Sequence, residues 1–290
     1  MKEAWARTND RWFNYLLTML EYVFVPVLLV SLISILAVFL VPSILGSMKD
    51  PNSNAAVQMV YAALAIIIPV AAIIGTIYRY IVGTIALLKT VIDEEKNRKK
   101  SISEAKALVF PYLRFISVLT LLNIGFVPFV PLSLFILLVY IQIWTTFAMF
   151  SFVSDQKKGL YNLWKALAVL RTNFWAITTR AILLQLFVIL VGSAGSIIAT
   201  VFRGNKNPDA ATAIMLLQLL IALSSFFTQI FATAYMYELY RHAKVPTKVK
   251  ASKPFIVFSL LGWIILLVLT GFGINYFVTM LSSALVLPQR

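Results

Sequence analysis

The acidic residues are the first place to look for chemistry, because paired carboxylates serve in hydrolysis, metal binding and proton relays. None of them lies in the middle of an apolar block: Glu3, Asp10, Glu21, Asp50, Asp93, Glu94, Glu95, Glu104, Asp155, Asp209 and Glu238. The only cluster, 93–95, is followed at once by basic residues, as in a solvated connector. This distribution argues against hydrolysis by a carboxylate pair and against transport coupled to protons or sodium.

Cysteine and histidine offer little more. The chain has no cysteine and one histidine, His242, which excludes disulfides, thiol nucleophiles and Cys/His zinc sites. The sequence also has no phosphate-binding glycine loop. We therefore expect no catalytic residue, no metal site and no cofactor, and a protein that is not an enzyme.

The elements that would position any site are membrane helices. Of 290 residues, 61% are hydrophobic and 12% are charged, and the mean hydropathy is +0.89, which is typical of membrane proteins. A span needs about 20 mostly apolar residues, and Pro128 and Pro131 break the longest uncharged block into two helices. We predict an all-α polytopic bundle with about seven spans. Its six-helix core (16–240) has three hairpins, 16–92, 106–154 and 174–240, and a further span lies in 255–290.

The cations give the orientation. Twenty of the 25 Lys and Arg residues fall on one predicted side and four fall on the other, so the positive-inside rule places the N-terminus in the cytoplasm and the C-terminus outside. Residues 1–15 then form a cytoplasmic interfacial segment, and residues 241–254 form a basic cytoplasmic connector. The positive excess marks topology, and we expect no nucleic-acid partner.

A basic, aromatic and amphipathic helix is predicted between Lys157 and Trp175, with leucines along one stripe. This pattern is typical of a helix in the inner headgroup plane. Basic side chains near an anionic leaflet each contribute about 1 kcal/mol, and tryptophan concentrates at the interface. We predict that this helix contacts anionic lipid headgroups through Lys157, Lys158, Trp164, Lys165, Arg171 and Trp175.

Glu21 and Arg79 are equally far along the chain from the first outer loop, near residue 50. Antiparallel helices would hold them at similar depth. One interpretation is an interhelix ion pair that braces the first two spans. The other is that each side chain extends separately to water.

A short repeat relates Lys106–Phe115 to Lys165–Phe174 at a constant offset of 59 residues. It indicates a duplicated unit of surface helix and hairpin, although chance similarity between two such segments is the alternative. The segment 157–186, followed by the Tyr-rich segment 231–244, resembles bacterial multi-span proteins. These include the membrane domain of some glycerophosphodiester phosphodiesterases and related uncharacterised six-helix envelope proteins. The resemblance implies a fold and a bacterial cytoplasmic membrane, but this chain has no hydrolase domain and an additional predicted span.

Three functions are compatible with these features. The first is a non-catalytic integral membrane protein in envelope organisation, lipid interaction or scaffolding of a protein partner. The second is a permease or exporter subunit built from the duplicated hairpins. A lipid-modifying enzyme ranks last, because acids and histidine are missing from the apolar blocks.

Overall fold

The computed structural model describes residues 1–33, 35, 55–93, 97–133, 136–155, 160–202, 208–246 and 249–285. Within these ranges the chain is helical and contains no β-strand. The described helices are α1 (Lys2–Ile33), α2 (Ala55–Ile92), α3 (Arg98–Ala107), α4 (Val109–Ile124), α5 (Ile136–Asp155), α6 (Tyr161–Thr172), α7 (Phe174–Phe202), α8 (Pro208–His242) and α9 (Lys253–Leu285).

Seven of these helices, all except α3 and α6, are long and apolar enough to cross a bilayer. The predicted all-α polytopic fold is therefore confirmed, and the chain is an integral membrane protein. The helices belong to two compact units, Met1–Phe110 with Ile198–Tyr235 and Pro111–Ile197 with Met236–Arg290. The predicted division of the core into three hairpins that cross the bilayer stays a prediction, since these units are groups of contacting residues and not topological repeats.

In the first unit, α1 and α2 are joined by arginines that bind the end of α2. Arg11 donates to the carbonyl oxygens of Thr90 and Val91 at 2.9 and 3.1 Å, and Arg7 donates to those of Val91 and Ile92, both at 3.3 Å. The last carbonyls of a helix have no intrahelical partner and carry its negative dipole end. Two cations at this position therefore stabilise both the end of α2 and its contact with α1.

Helix α1 contains one wider turn. Residues Leu20–Phe24 form a π-helical turn immediately before Pro26. Proline lacks the N–H that would bond four residues back, so the helix adjusts there without breaking. Within the first unit, α1 also contacts α8, through the ring pairs Trp5–Phe231, Trp12–Phe227 and Tyr15–Phe226.

In the second unit, α4 and α5 form an antiparallel hairpin, with Tyr112 and Phe115 against Phe152. Its turn includes two short 3₁₀ segments, Val127–Phe129 and Pro131–Ser133, as the two prolines predict. Helix α6 then runs back along α5, because Ser151 contacts Asn162 and Tyr140 contacts Phe174. The core of this unit lies between α5 and α6.

The start of α9 crosses the end of α4 at very close range. A Cβ atom on Gly262 would overlap the carbonyl oxygen of Gly125, so both positions require glycine for the backbones to meet. Ser259 Oγ donates to Leu122 O at 3.0 Å, and Trp263 Nε1 donates to Leu121 O at 2.9 Å. These donors satisfy carbonyls in the last turn of α4.

Candidate lipid-headgroup surface

Helix α6 contains three of the six residues that the sequence predicts to contact headgroups, Trp164, Lys165 and Arg171. Its leucine stripe is buried, with Leu163, Leu167 and Leu170 almost fully covered. Asn162 is also fully buried, and its side-chain oxygen accepts from Ser151 Oγ at 3.2 Å. Because this amide is satisfied inside the protein, α6 can turn its apolar stripe toward α5 and away from acyl chains.

Trp164 lies in that buried stripe. Only 8% of its surface is exposed, and its ring lies edge-on to Phe255 at 6.4 Å between centroids. Phe255 also contacts the ring of Trp144, whose Nε1 donates to Leu163 O at 3.0 Å. The predicted headgroup contact of Trp164 is thus replaced by an aromatic contact within the protein.

Lys165 faces a carboxylate. Its ammonium forms an ion pair with Asp155 and lies 5.7 Å from the centre of the Tyr240 ring. Burial alone would lower the pKa of Lys165, but the hydrogen bond to Asp155 and the neighbouring Tyr240 raise this pKa above its ordinary value. The side chain is therefore a cation that joins α6 to α5 through the Asp155 carboxylate.

Arg171 and Trp175 are exposed, as headgroup contact requires. Arg171 Nη2 donates to Ser252 Oγ at 2.9 Å, and its guanidinium also faces the Tyr140 hydroxyl. Trp175 is 76% exposed at the start of α7. The guanidinium is held in place by neutral hydroxyls, so its charge is not neutralised by these contacts.

The connector between α8 and α9 reaches the same place. Asn173 Nδ2 donates to the Lys244 carbonyl oxygen at 3.0 Å, and Ser252 binds Arg171. These two contacts bring three exposed lysines of the connector region, Lys244, Lys250 and Lys253, beside the junction of α6 and α7. We call the set Arg171, Trp175, Lys244, Lys250 and Lys253 the junction surface.

The sequence grouped these residues differently. Lys157 and Lys158 lie outside the described residues. From the sequence, the three connector lysines indicate only topology, because nothing in their spacing shows that the connector folds back onto α6. Asn173 and Ser252 could have indicated this contact between the connector and α6, since small polar residues at helix ends commonly bind neighbouring backbone or side chains.

The structure gives Glu21 a different cation from the one predicted. Its partner is Arg98 of α3, which also donates to Thr18 Oγ1 at 3.2 Å. Arg79 is exposed and lies one turn from Gly83, whose added Cβ would meet Tyr22 Cβ at 2.8 Å. Residue 22 is therefore level with residue 83, and equal counting from the loop misplaced Arg79 by about one turn.

A second set of charges lies at the end of α2. Lys89 is almost fully buried and forms an ion pair with Glu104 of α3. Burial raises the pKa of the nearby Asp93 above its ordinary value; Glu104 adds to this, and Lys89, Arg11 and Lys100 oppose it. These acidic and basic side chains neutralise one another, as in an ion-pair cluster that holds two helices together.

No model of a known protein family matches this chain, and neither does any curated protein or solved structure. The resemblance to the membrane domain of some phosphodiesterases therefore stays a prediction.

Proposed function

We propose that this integral membrane protein is non-catalytic and that it binds anionic lipid headgroups through the junction surface. The observation that supports it is the pair of contacts, Asn173 to Lys244 and Arg171 to Ser252, which brings the connector with its three exposed lysines to the helix junction that carries exposed Arg171 and Trp175. Each cation near an anionic leaflet contributes about 1 kcal/mol. The membrane is the cytoplasmic membrane of a bacterium, and the surface faces its inner leaflet.

The chemistry of these side chains favours headgroup phosphates. Arginine presents a planar fork of donors that matches phosphate oxygens, whereas lysine supplies a mobile point charge. Exposed tryptophan sits at the boundary between headgroups and acyl chains. Such a surface suits a role in envelope organisation or in holding a protein partner at the bilayer.

The test is lipid retention by the purified protein. A variant with Arg171, Lys244, Lys250 and Lys253 all changed to glutamine is compared with the wild type by mass spectrometry of copurified lipid. We expect several-fold less anionic lipid, since up to about 4 kcal/mol of attraction is removed. The matched control changes four exposed cations elsewhere, Lys2, Lys99, Lys106 and Arg114, and retains more lipid. Equal losses in the two variants would show that only net charge matters and would contradict the proposal.

A further inference from the structure

The turn of the α4–α5 hairpin lies beside the starts of α7 and α9. The Phe126 ring in the turn is 4.5 Å from the ring of Phe255, the third residue of α9. Tyr140, in the second turn of α5, is 5.9 Å from Phe174, the first residue of α7. The turn end of the hairpin is therefore at the junction surface. The open end of the hairpin, near Val109 and Asp155, is about 22 Å away along α5.

Helix α7 leaves the hairpin at this turn end. Helix α6 runs antiparallel to α5, and helical hydrogen bonds continue across Asn173: its N–H donates to Val169 O at 3.2 Å, and Ile177 N–H donates to Asn173 O at 3.0 Å. Helix α7 therefore prolongs α6 past the turn. A hairpin that crossed the bilayer from the inner side would instead have its open end beside the start of the next span.

The exposure of large apolar side chains differs between α7 and α9, which extend beyond the junction surface, and α5, which lies before it. Beyond it, α7 and α9 carry large apolar side chains that no described part of the protein covers, among them Leu183, Leu190, Leu267 and Phe272 at 67–69% exposed. Exposed apolar surface on this scale requires lipid. The part of α5 from Trp144 onward, by contrast, buries Trp144, Phe147, Phe150 and Phe152 inside the unit. A helix that is apolar all round is either a span or a buried core helix, and this part of α5 fits the second description.

We propose that the α4–α5 hairpin does not cross the bilayer. It stands on the inner aqueous side, and its turn joins the junction surface in one continuous face against an anionic headgroup layer. Within this turn Val127 is exposed and Phe126 is buried against α9. Length and composition, which α4 and α5 satisfy, cannot separate this arrangement from a spanning hairpin. The proposal rests on the proposed function in one respect, namely that the junction surface faces the headgroups.

The natural absence of cysteine allows a direct test with single cysteines in the full-length protein. Val127→Cys reports the hairpin turn, Lys250→Cys reports the junction surface, and Asn205→Cys reports the loop that the sequence places on the outer side. A membrane-impermeant maleimide is applied to intact cells and to inverted vesicles. We expect Val127→Cys to react together with Lys250→Cys, in inverted vesicles only. Reaction of Val127→Cys together with Asn205→Cys, in intact cells, would overturn the proposal.

If the maleimide does not react with a thiol at position 127, a distance measurement tests the same proposal. Spin labels at positions 127 and 250 are expected to lie well under 30 Å apart, whereas a hairpin that crossed the core would separate them by about 30 Å or more. Neither readout depends on which lipid is bound. The turn could be found on the inner side while neutralising the junction surface leaves lipid retention unchanged. That result would contradict the proposed function and would still support this topology.

Discussion

At the scale of single residues, the charges of this protein are of two kinds. Lys89, Lys165 and Arg98 each lie against a carboxylate, whereas Arg171 of the junction surface contacts the neutral hydroxyls of Ser252 and Tyr140. Sequence alone does not separate these kinds, because both occur in the same basic segments. Lys165 and Arg171 are six residues apart on one helix, and only their neighbours from other helices decide which one is neutralised.

Lys165→Met is expected to destabilise the protein, because it leaves the Asp155 carboxylate half-buried without its cation. The loss is on the order of 1–3 kcal/mol, measured as thermal or denaturant unfolding in detergent. The double variant Lys165→Met with Asp155→Asn removes both charges and is expected to recover part of the stability. A double variant no more stable than the single one would show that the ion pair is not the cause.

Neutralising Arg98 or Arg79 in separate variants distinguishes the Glu21–Arg98 ion pair of the structure from the predicted Glu21–Arg79 pair. Arg98→Gln is expected to lower the unfolding temperature, because Glu21 loses its cation and Thr18 loses a hydrogen bond from the guanidinium. Arg79→Gln is the matched control, since Arg79 is exposed on α2, and we expect little change. A larger effect of Arg79→Gln would restore the pairing that chain counting suggests.

Asp93 gives a prediction about pH. Its pKa is raised in the folded protein, so the folded state binds this proton more tightly than the unfolded chain does. Stability therefore falls as pH rises from the ordinary carboxyl value through the raised one. Asp93→Asn is expected to remove this component, so the variant gains stability relative to the wild type above that window and not below it. A constant difference across the window would contradict the assignment.

At the scale of elements, the sequence predicts where the helices begin and end better than it predicts which helices pack against one another. Apolar blocks, Pro128 and Pro131 mark where several helices begin and end. The amphipathic pattern between Lys157 and Trp175 predicts a helix, and α6 confirms it. It did not show that α5, and not lipid, covers the leucine stripe, because both present an equally apolar surface. For the same reason the sequence does not separate a hairpin of α4 and α5 that crosses the bilayer from one that lies on a single side of it, as we propose.

The crossing of α4 and α9 gives a prediction for two glycines of one helix. Gly262→Ala is expected to push α9 away from Gly125, because the new methyl group would overlap a backbone carbonyl. Overpacking of this kind typically costs about 1–3 kcal/mol. Gly271→Ala is the matched control, with no atom within 4 Å of its added Cβ. Equal unfolding temperatures for the two variants would contradict the close crossing.

At the scale of the whole molecule, we propose that the long apolar helices leave a basic, aromatic surface at the inner headgroup layer. Composition and the distribution of lysine and arginine predicted a polytopic membrane protein, and the seven long apolar helices bear this out. The grouping of Arg171 and Trp175 with the connector lysines could not be predicted, because it depends on contacts between segments about 80 residues apart, such as Arg171 with Ser252.

The most direct measurement is the depth of two positions on α7 in a bilayer. Trp175→Cys and Leu186→Cys each carry a spin label, and depth is obtained from collisions with oxygen and with a water-soluble nickel complex. We expect position 175 at the level of the phosphates and position 186 about 16 Å deeper, near the middle of the core. Equal depths, or a label at 175 buried in hydrocarbon, would contradict the account.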